Sequence, residues 1–299
     1  MKLVVIILTL NEQMHIKRCI ESVRSIASEV FIIDCFSDDG TVKEAKAAGA
    51  TVLQHKWINH SDQFNWALSQ LPKDTDWVLR LDADETLQDA LVTEINTSLP
   101  FMSEAISGVS LPRRITFQGK LLRFGGIFPA HILRLFRYGR GKCEDRWMDE
   151  HIIVDGDIIE FKNGIIDDNL KPIGWWIDKH NGYASKEALE ILNSRWNFLK
   201  KDESRNLRHV KQAFLKRLIK NTVYSRVPFG VRAFIYFLYR YFIRLGFLDG
   251  RSGFAFHFLQ GFWYRYLVDL KVNEVERLVR DGEYVLESAI VEVLGVKLK

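Results

Sequence analysis

Cysteine is scarce: three in 299 residues, Cys19, Cys35 and Cys143, widely spaced and without a CxxC pair. That excludes a disulfide framework and a cysteine-based zinc site, and the thiols are expected to be reduced. Also missing at the start is a charged n-region, apolar h-region and cleavage site; Met1 runs straight into a β-like segment, from which a cytosolic location is expected. Internal repeats and low-complexity tracts are absent. Between Val227 and Leu248 the longest uncharged stretch is Ala233–Tyr239, far short of the roughly 20 residues needed to cross a bilayer. Net charge is small, +4, and by itself names no partner.

What is present begins with 47% hydrophobic residues, enough for a substantial core. The charge is also unevenly placed. Arg205 to Arg251 carries eleven lysines or arginines against the single acid Asp249, which leaves the rest of the chain net acidic. A neutral-to-acidic body with one basic, aromatic-rich segment predicts a division of labour.

Leu3–Leu10 is a continuous apolar, β-branched run, as expected of a strand buried on both faces. Apolar residues at helical spacing follow from Glu12 to Ile26. Then come a strand at Val30–Ile33, a helix at Thr41–Ala48 with Gly49 as its C-terminal cap, a strand at Ala50–Gln54, a helix at Ser61–Leu71 and a strand at Trp77–Leu81. This alternation predicts βαβ units and a parallel sheet. From about Pro112 to Asp168 the pattern changes to short strands and glycine turns; beyond Trp175 it reads as mostly helical.

In parallel sheets the reactive groups gather in loops beyond the carboxyl ends of the strands. Here strand one ends in Thr9-Leu10-Asn11-Glu12, strand two in Asp34-Cys35-Phe36-Ser37-Asp38-Asp39-Gly40-Thr41, and strand four in Asp82-Ala83-Asp84-Glu85. Acids and hydroxyls are thereby delivered to one rim. Two carboxylates one residue apart suit a nucleotide diphosphate bound through a hard cation, Mg²⁺ or Mn²⁺, which takes oxygen ligands and keeps some waters. A second constellation, Trp147-Met148-Asp149-Glu150-His151, offers a general base for an acceptor hydroxyl.

The pieces "VVIILTLNE", "VFIIDCFSDDGT" and "WVLRLDADE", with "DQFNWAL" upstream, resemble the nucleotide-binding domain of glycosyltransferase family 2, the GT-A fold. The form Asp-x-Phe-Ser-x-Asp resembles the branch of lipopolysaccharide-core and exopolysaccharide transferases; many members have two adjacent acids where this chain has Asp34-Cys35. The resemblance implies an α/β fold, a Rossmann-like, mostly parallel sheet flanked by helices with a helical C-terminal region. It places a catalytic domain at 1–172 (donor half about 1–100, acceptor half about 101–172) and the helical region at 173–299. It implies that Thr9, Asn11, Glu12, Asp34, Ser37, Asp39, Asn65 and Asp82 hold the nucleotide-sugar and that Asp84 holds the metal. By the same resemblance Glu150 is the favoured base, with Asp149 second and His151 orienting. Arg134 is a candidate for the diphosphate or acceptor, or a surface ion pair. His180, in "KHNGYASKEA", is a candidate donor to the leaving group, or a packed histidine.

The implied activity is inverting transfer of a hexose from a nucleotide-sugar, UDP first among them, to a lipid-linked or lipopolysaccharide-core saccharide. The alternative from another class is a non-catalytic sugar-nucleotide-binding scaffold protein. A nucleotidyltransferase is disfavoured, because no Gly-rich basic loop follows strand one. In the basic segment 205–251, Arg232, Arg240 and Arg244 fall within about a 120° arc of a helical wheel, the remaining face being aromatic and aliphatic. That pattern predicts peripheral contact with the cytosolic face of the inner membrane, arginines meeting anionic headgroups; a helix packed on the protein is the competing reading, and nucleic acid is not expected.

Overall fold

The computed structural model describes residues 1–144, 151–198 and 230–296. The chain forms two compact units, Met1–Lys171 and Pro172–Lys299.

In the first unit the apolar run becomes β1 (Leu3–Thr9), fully enclosed from Leu3 to Ile7. Its alternate side chains feed two cores, one on each face of the sheet. Leu3, Val5 and Ile7 pack with Ile16, Cys19, Ile20 and Val23 of α1 (Ile16–Val23). Val4 and Ile6 pack with Phe31, Ile33, Phe64 and Ala67 on the other side. The succeeding elements are β2 (Glu29–Asp34), α2 (Thr41–Ala47), β3 (Thr51–Gln54), α3 (His60–Ser69) and β4 (Trp77–Asp82), at the expected places. Gly49 takes φ +86° just beyond α2, the left-handed turn that ends that helix.

The order β3-β2-β1-β4 is parallel throughout. Beyond β4 the sheet is mixed, antiparallel pairs joining the parallel ones. The elements β5 (Glu85–Leu87), α4 (Asp89–Ser98), β6 (Ile106–Phe117), β7 (Lys120–Leu121), β8 (Ala130–Arg137), β9 (Gly141–Cys143), β10 (Ile152–Val154), β11 (Asp157–Glu160) and β12 (Ile165–Asp168) follow. β8 runs antiparallel to both β4 and β6, and β12 lies parallel to β6 and antiparallel to β5. The physical reason is the connection: β6 returns to β8 through a short hairpin and loop rather than a helical crossover, so the two strands must oppose. β6 is one twelve-residue strand where short strands were expected. β9 and β10 form a separate two-stranded ribbon.

The second unit is helical among its described residues: α5 (Ile173–Trp196), α6 (Val231–Leu238), α7 (Gly250–Phe256), α8 (Tyr264–Arg280) and α9 (Leu286–Leu294), with π-helical stretches at Tyr239–Ile243 and His257–Trp263. Its core joins Ala184, Ala188 and Leu192 to Val268, Val272, Val275 and Ile290. No described helix is long and apolar enough to cross a membrane.

Two of the three arginines expected to meet headgroups are instead turned inward. Arg232 is 9% exposed and grips Asp269 of α8 with two hydrogen bonds, one from Nε to Oδ2 at 2.7 Å. Arg240 is buried, bonded to Gln260 and close to the rings of Tyr236 and Phe256. A buried carboxylate needs a counter-charge, and Asp269 draws Arg232 in. Arg244 remains exposed. The outward face is apolar, with Phe234, Ile235, Phe242 and Leu248 at least half exposed and Ile243 72% exposed. Residues 205–229 of the basic segment lie outside the described residues.

Candidate active site

Register brings the strand ends together. Thr9 lies opposite Asp34 on one side of β1, and Leu8 opposite Asp82 on the other. The loops after β1, β2 and β4 therefore emerge side by side.

The first two loops lock to each other. Asp34 is wholly buried, and its carboxylate accepts from Thr9 Oγ1 (3.0 Å), Ser37 N (2.9 Å), Ser37 Oγ (2.5 Å) and Gln54 Nε2 (3.3 Å). Both oxygens are committed to the fold. Asp34, expected among the nucleotide-sugar contacts, is the post around which the loop is built. Ser37 Oγ also accepts from Asn11 N (2.9 Å), and Asn11 Oδ1 accepts from Asp38 N (3.0 Å), with Asn11 itself at φ +57°. Asp39 accepts from Gln13 N and from Thr41 N and Oγ1 at the start of α2. Partial burial works against ionisation there, but the Thr41 bonds outweigh it and hold the Asp39 carboxyl below its ordinary value.

Glu12 anchors a cluster that the sequence reading missed. Its backbone N–H donates to Thr41 Oγ1 (2.7 Å), while its carboxylate takes His15 Nδ1 at 2.6 Å and Lys171 Nζ at 2.7 Å. His15 is wholly buried, and its Nε2 accepts from Leu170 N at 2.8 Å; Nδ1 therefore carries the proton and donates to Glu12. Burial pushes the Glu12 carboxyl up, but the bonds from His15 and Lys171 win and hold it below the ordinary value. The short run Asp168–Lys171 is a strap: Arg18 pairs with Asp168 (2.6 Å), Asn169 Nδ2 donates to Asp84 Oδ2 (2.8 Å), and Leu170 and Lys171 reach His15 and Glu12. The available signal was the same as elsewhere: an apolar pair, Ile165-Ile166, running into Asp167-Asp168.

Arg134 organises the third loop. Leu135 pairs with Val109 but Leu133 with Ser110, so Arg134 is the extra residue of a β-bulge. Such a bulge re-aims a side chain, and here Nη2 reaches Asp82 Oδ2 and Glu85 Oε1, both at 2.6 Å. The Arg134–Glu85 pair is interior, the two side chains being 6% and 1% exposed, whereas the Asp82 side chain is 41% exposed. Burial opposes ionisation of Asp82, yet Arg134 and Arg80 hold its carboxyl far below the usual carboxylate range. Burial pushes Glu85 the other way, up to about 8, helped by Asp82 and Asp167 and resisted by Arg134.

The expected base residues, Asp149 and Glu150, lie outside the described residues, but the ribbon of β9 and β10 on either side of them is defined. Cys143 pairs with Ile152, and Glu144 N donates to His151 O at 3.0 Å. His151 is exposed there. Asn65 pins β9 to α3: Nδ2 donates to Cys143 O, and Oδ1 accepts from Cys143 N, each at 2.9 Å. Its amide, expected among the nucleotide contacts, is bonded to the ribbon. Beside it His60 accepts from Arg80 at 2.8 Å and lies 4.0 Å from Cys143 Sγ. A chain of contacts, Asp82–Arg80–His60–Cys143, thus links the β4 acids to β9.

His180 lies inside α5 rather than ahead of a helix. Its ring stacks on Trp176 at 3.5 Å, Nδ1–H donates to Trp176 O at 2.8 Å, and Tyr183 and Tyr264 meet its faces edge-on. Burial lowers its pKa. The packed alternative describes it.

Among the described residues no three His, Cys, Asp or Glu side chains converge as a ready-made cation cage. What is present is a half-buried Asp84 whose Oδ2 is oriented by Asn169 and whose Oδ1 has no bond among the described residues, beside an Asp82 kept ionised by arginines. That set fits a hard cation held by one or two carboxylates and the oxygens of its own ligand, as Mg²⁺ is usually held.

Residues 4–119 match the family model of Glycosyl transferase family 2. Over 94 residues the chain is 42% identical to an uncharacterized glycosyltransferase of Rickettsia typhi, covering 31% of this chain and 32% of the relative. The match thus spans about a third of that relative's length. Over 196 residues it is 29% identical to LpsC of Rhizobium meliloti, a lipopolysaccharide core biosynthesis glycosyltransferase, covering 63% of this chain and 71% of the relative. Among solved structures, glucosyl-3-phosphoglycerate synthase from Mycobacterium tuberculosis, in complex with Mn²⁺, UDP and glucosyl-3-phosphoglycerate, is 20% identical over 38% of this chain and 44% of that one, with a TM-score of 0.32.

Proposed function

Residues 4–119 are a glycosyl transferase family 2 domain, and from that premise we propose that the protein transfers a hexose, with inversion, from a nucleotide-sugar to a lipid-linked or lipopolysaccharide-core saccharide. The observation that carries the reading is the Asp82-Ala83-Asp84 corner, braced by Arg134 from a β-bulge and standing beside the interlocked loops after β1 and β2.

Asn11, Glu12 and Asp39 form the wall for the nucleotide, with Thr9, Ser37 and Asp34 holding that wall in shape. Asp84 holds Mg²⁺ or Mn²⁺, with Asn169 fixing its carboxylate. When bound, the cation stabilises charge on the departing diphosphate. Asp82, kept charged by Arg134 and Arg80, orients the donor's sugar or ribose hydroxyls. Glu150, or Asp149 in second place, takes the proton from the acceptor hydroxyl. The new bond forms between the acceptor oxygen and C1 as the C1–O bond to the diphosphate breaks on the opposite side, so an α-linked donor gives a β-glycoside. Support for placing the base here is the chain of contacts from Asp82 to Cys143, in the strand that precedes Asp149 and Glu150 in the chain. UDP is the favoured nucleotide, and the outward apolar face of 231–258 together with exposed Arg244 supports peripheral contact with an anionic, cytosolic membrane face.

The test is a calorimetric screen of UDP-, GDP- and dTDP-sugars with and without Mn²⁺. One donor binding only with the metal, and losing at least tenfold in affinity in Asp84→Ala, is the expected result. Metal-independent binding, or full binding by Asp84→Ala, overturns the assignment of the metal; no binding of any donor overturns the transferase reading.

A further inference from the structure

A cavity of about 350 Å³ in the first unit is lined by Arg114, Leu121, Leu122, Arg123 and Phe128, and nothing above uses it. Its construction follows from the chain. Gln118 and Gly119 both adopt left-handed φ, +50° and +72°, making the tight hairpin that folds β7 back on β6, with Thr116 opposite Leu121 and Leu122 N bonded to Ile115 O at 2.9 Å. Gly125 and Gly126, also at positive φ, turn the chain again so that Phe128 returns beside Arg114. The Arg114 guanidinium then sits 4.8 Å over the Phe128 ring. Stacking fixes the plane of the guanidinium and leaves its N–H edges, which lie in that plane, available as a fork.

The cavity is also on the catalytic rim. β6 runs in the same direction as β4, since β8 opposes both. Leu79 and Val109 are level across Leu135, and counting onward along two strands of the same direction sets Asp82 near Pro112. Arg114 is two residues beyond Pro112, roughly 7 Å further along the strand and roughly 10 Å across from β4. That offset is too large for contact with the reacting centre and suits a part of the acceptor remote from the attacked hydroxyl.

We propose that this cavity is an acceptor subsite for an anionic saccharide, one carrying a phosphate or carboxylate, with Arg114 forking the anion, Arg123 adding charge at the mouth, and Leu121 and Phe128 packing the sugar's apolar face. Its lining holds two arginines and no acid, which selects against neutral and cationic sugars. The role as an acceptor subsite rests on the transferase reading; the anion selectivity does not.

Ligand-observed NMR and calorimetry with glucose 6-phosphate, glucuronate, glucose and inorganic phosphate test it on the full chain. Glucose 6-phosphate or glucuronate binds at least tenfold more tightly than glucose and than inorganic phosphate, and which of the two wins names the anion. Arg114→Gln loses at least tenfold, Arg114→Lys loses less because it keeps the charge without the fork, and Arg123→Gln, at an exposed position, loses about threefold. Equal binding of glucose and glucose 6-phosphate, or an Arg114→Gln protein with undiminished binding, overturns the proposal. UDP-sugar titration of the same samples separates the two claims: donor binding without anion selectivity sinks the subsite alone, and anion selectivity without donor binding sinks the transferase reading alone.

Discussion

Asp34 and Asp84 are both strand-end acids, in opposite environments: Asp34 is enclosed and Asp84 half-buried. Asp34 accepts four hydrogen bonds with no surface exposed, so Asp34→Ala strands Ser37 N and both hydroxyls. A cost of about 2–4 kcal/mol is expected. Urea denaturation checks it: a fall in stability of that size is the expected result, whereas weakened donor binding at unchanged stability would restore Asp34 to the nucleotide. The sequence pattern made both acids visible but not which way each faces, because burial is settled by partners, here Gln54 and Ser37, that no spacing rule identifies. His60 carries a pH signature. Burial, with Arg80 beside it, lowers its pKa to about 4. The unfolded chain, with an ordinary histidine near 6.5, therefore binds more protons between pH 6.5 and 4. The folded state accordingly loses stability as pH falls through that window, by at most about 3 kcal/mol from this residue. His60→Gln should flatten the pH dependence of the denaturation midpoint between pH 7 and 4.5 relative to the parent; an unchanged slope would contradict a neutral His60 accepting from Arg80.

Elements were legible where one periodicity ruled. β1 to β4 and the helices between them follow from apolar runs and helical spacing, since a strand covered on both faces must be apolar throughout. The second half of the sheet was not legible. Pro112 and the half-buried pattern of β6 disguise one long strand as several short ones, and a bulge leaves no mark in sequence although it is what aims Arg134. The β9–β10 ribbon makes the point testable. Among the described residues three strand pairs hold it together, with one further main-chain bond beyond each end, and Asn65 clamps it through both main-chain groups of Cys143. Removing the clamp in Asn65→Ala should speed amide exchange of residues 141–144 and 151–154 at least tenfold, which is about 1.4 kcal/mol of local opening. Donor affinity should stay within about twofold. A large loss of donor affinity with unchanged exchange would return Asn65 to the nucleotide wall.

At the scale of the whole molecule the charge asymmetry was visible from the start, but its meaning changes once Arg232 and Arg240 are seen to be interior. An amphipathic pattern shows that two faces differ and leaves open which one faces the protein; here the arginine face does, because Asp269 and Gln260 wait on the facing helices. The outward surface is left to Phe234, Ile235, Phe242, Ile243 and Leu248, with Arg244 and Arg251 exposed beside them. If that surface meets a membrane, apolar insertion supplies most of the affinity, since burying a large side chain contributes about 1.5–3 kcal/mol, against about 1 kcal/mol per arginine near an anionic surface. The variant Phe242→Ser/Ile243→Ser should therefore lose co-sedimentation with vesicles containing anionic lipid by tenfold or more, insensitive to salt. Arg244→Gln should lose only about fivefold, and chiefly at low salt. Arg232→Gln belongs to a different class: it strands Asp269 in the interior and should destabilise the helical unit by about 3–5 kcal/mol, read by denaturation rather than by vesicle binding. If Arg244→Gln abolishes sedimentation and the apolar pair does not, charge rather than insertion holds the protein at the surface. If neither variant changes it, the apolar face serves something other than lipid.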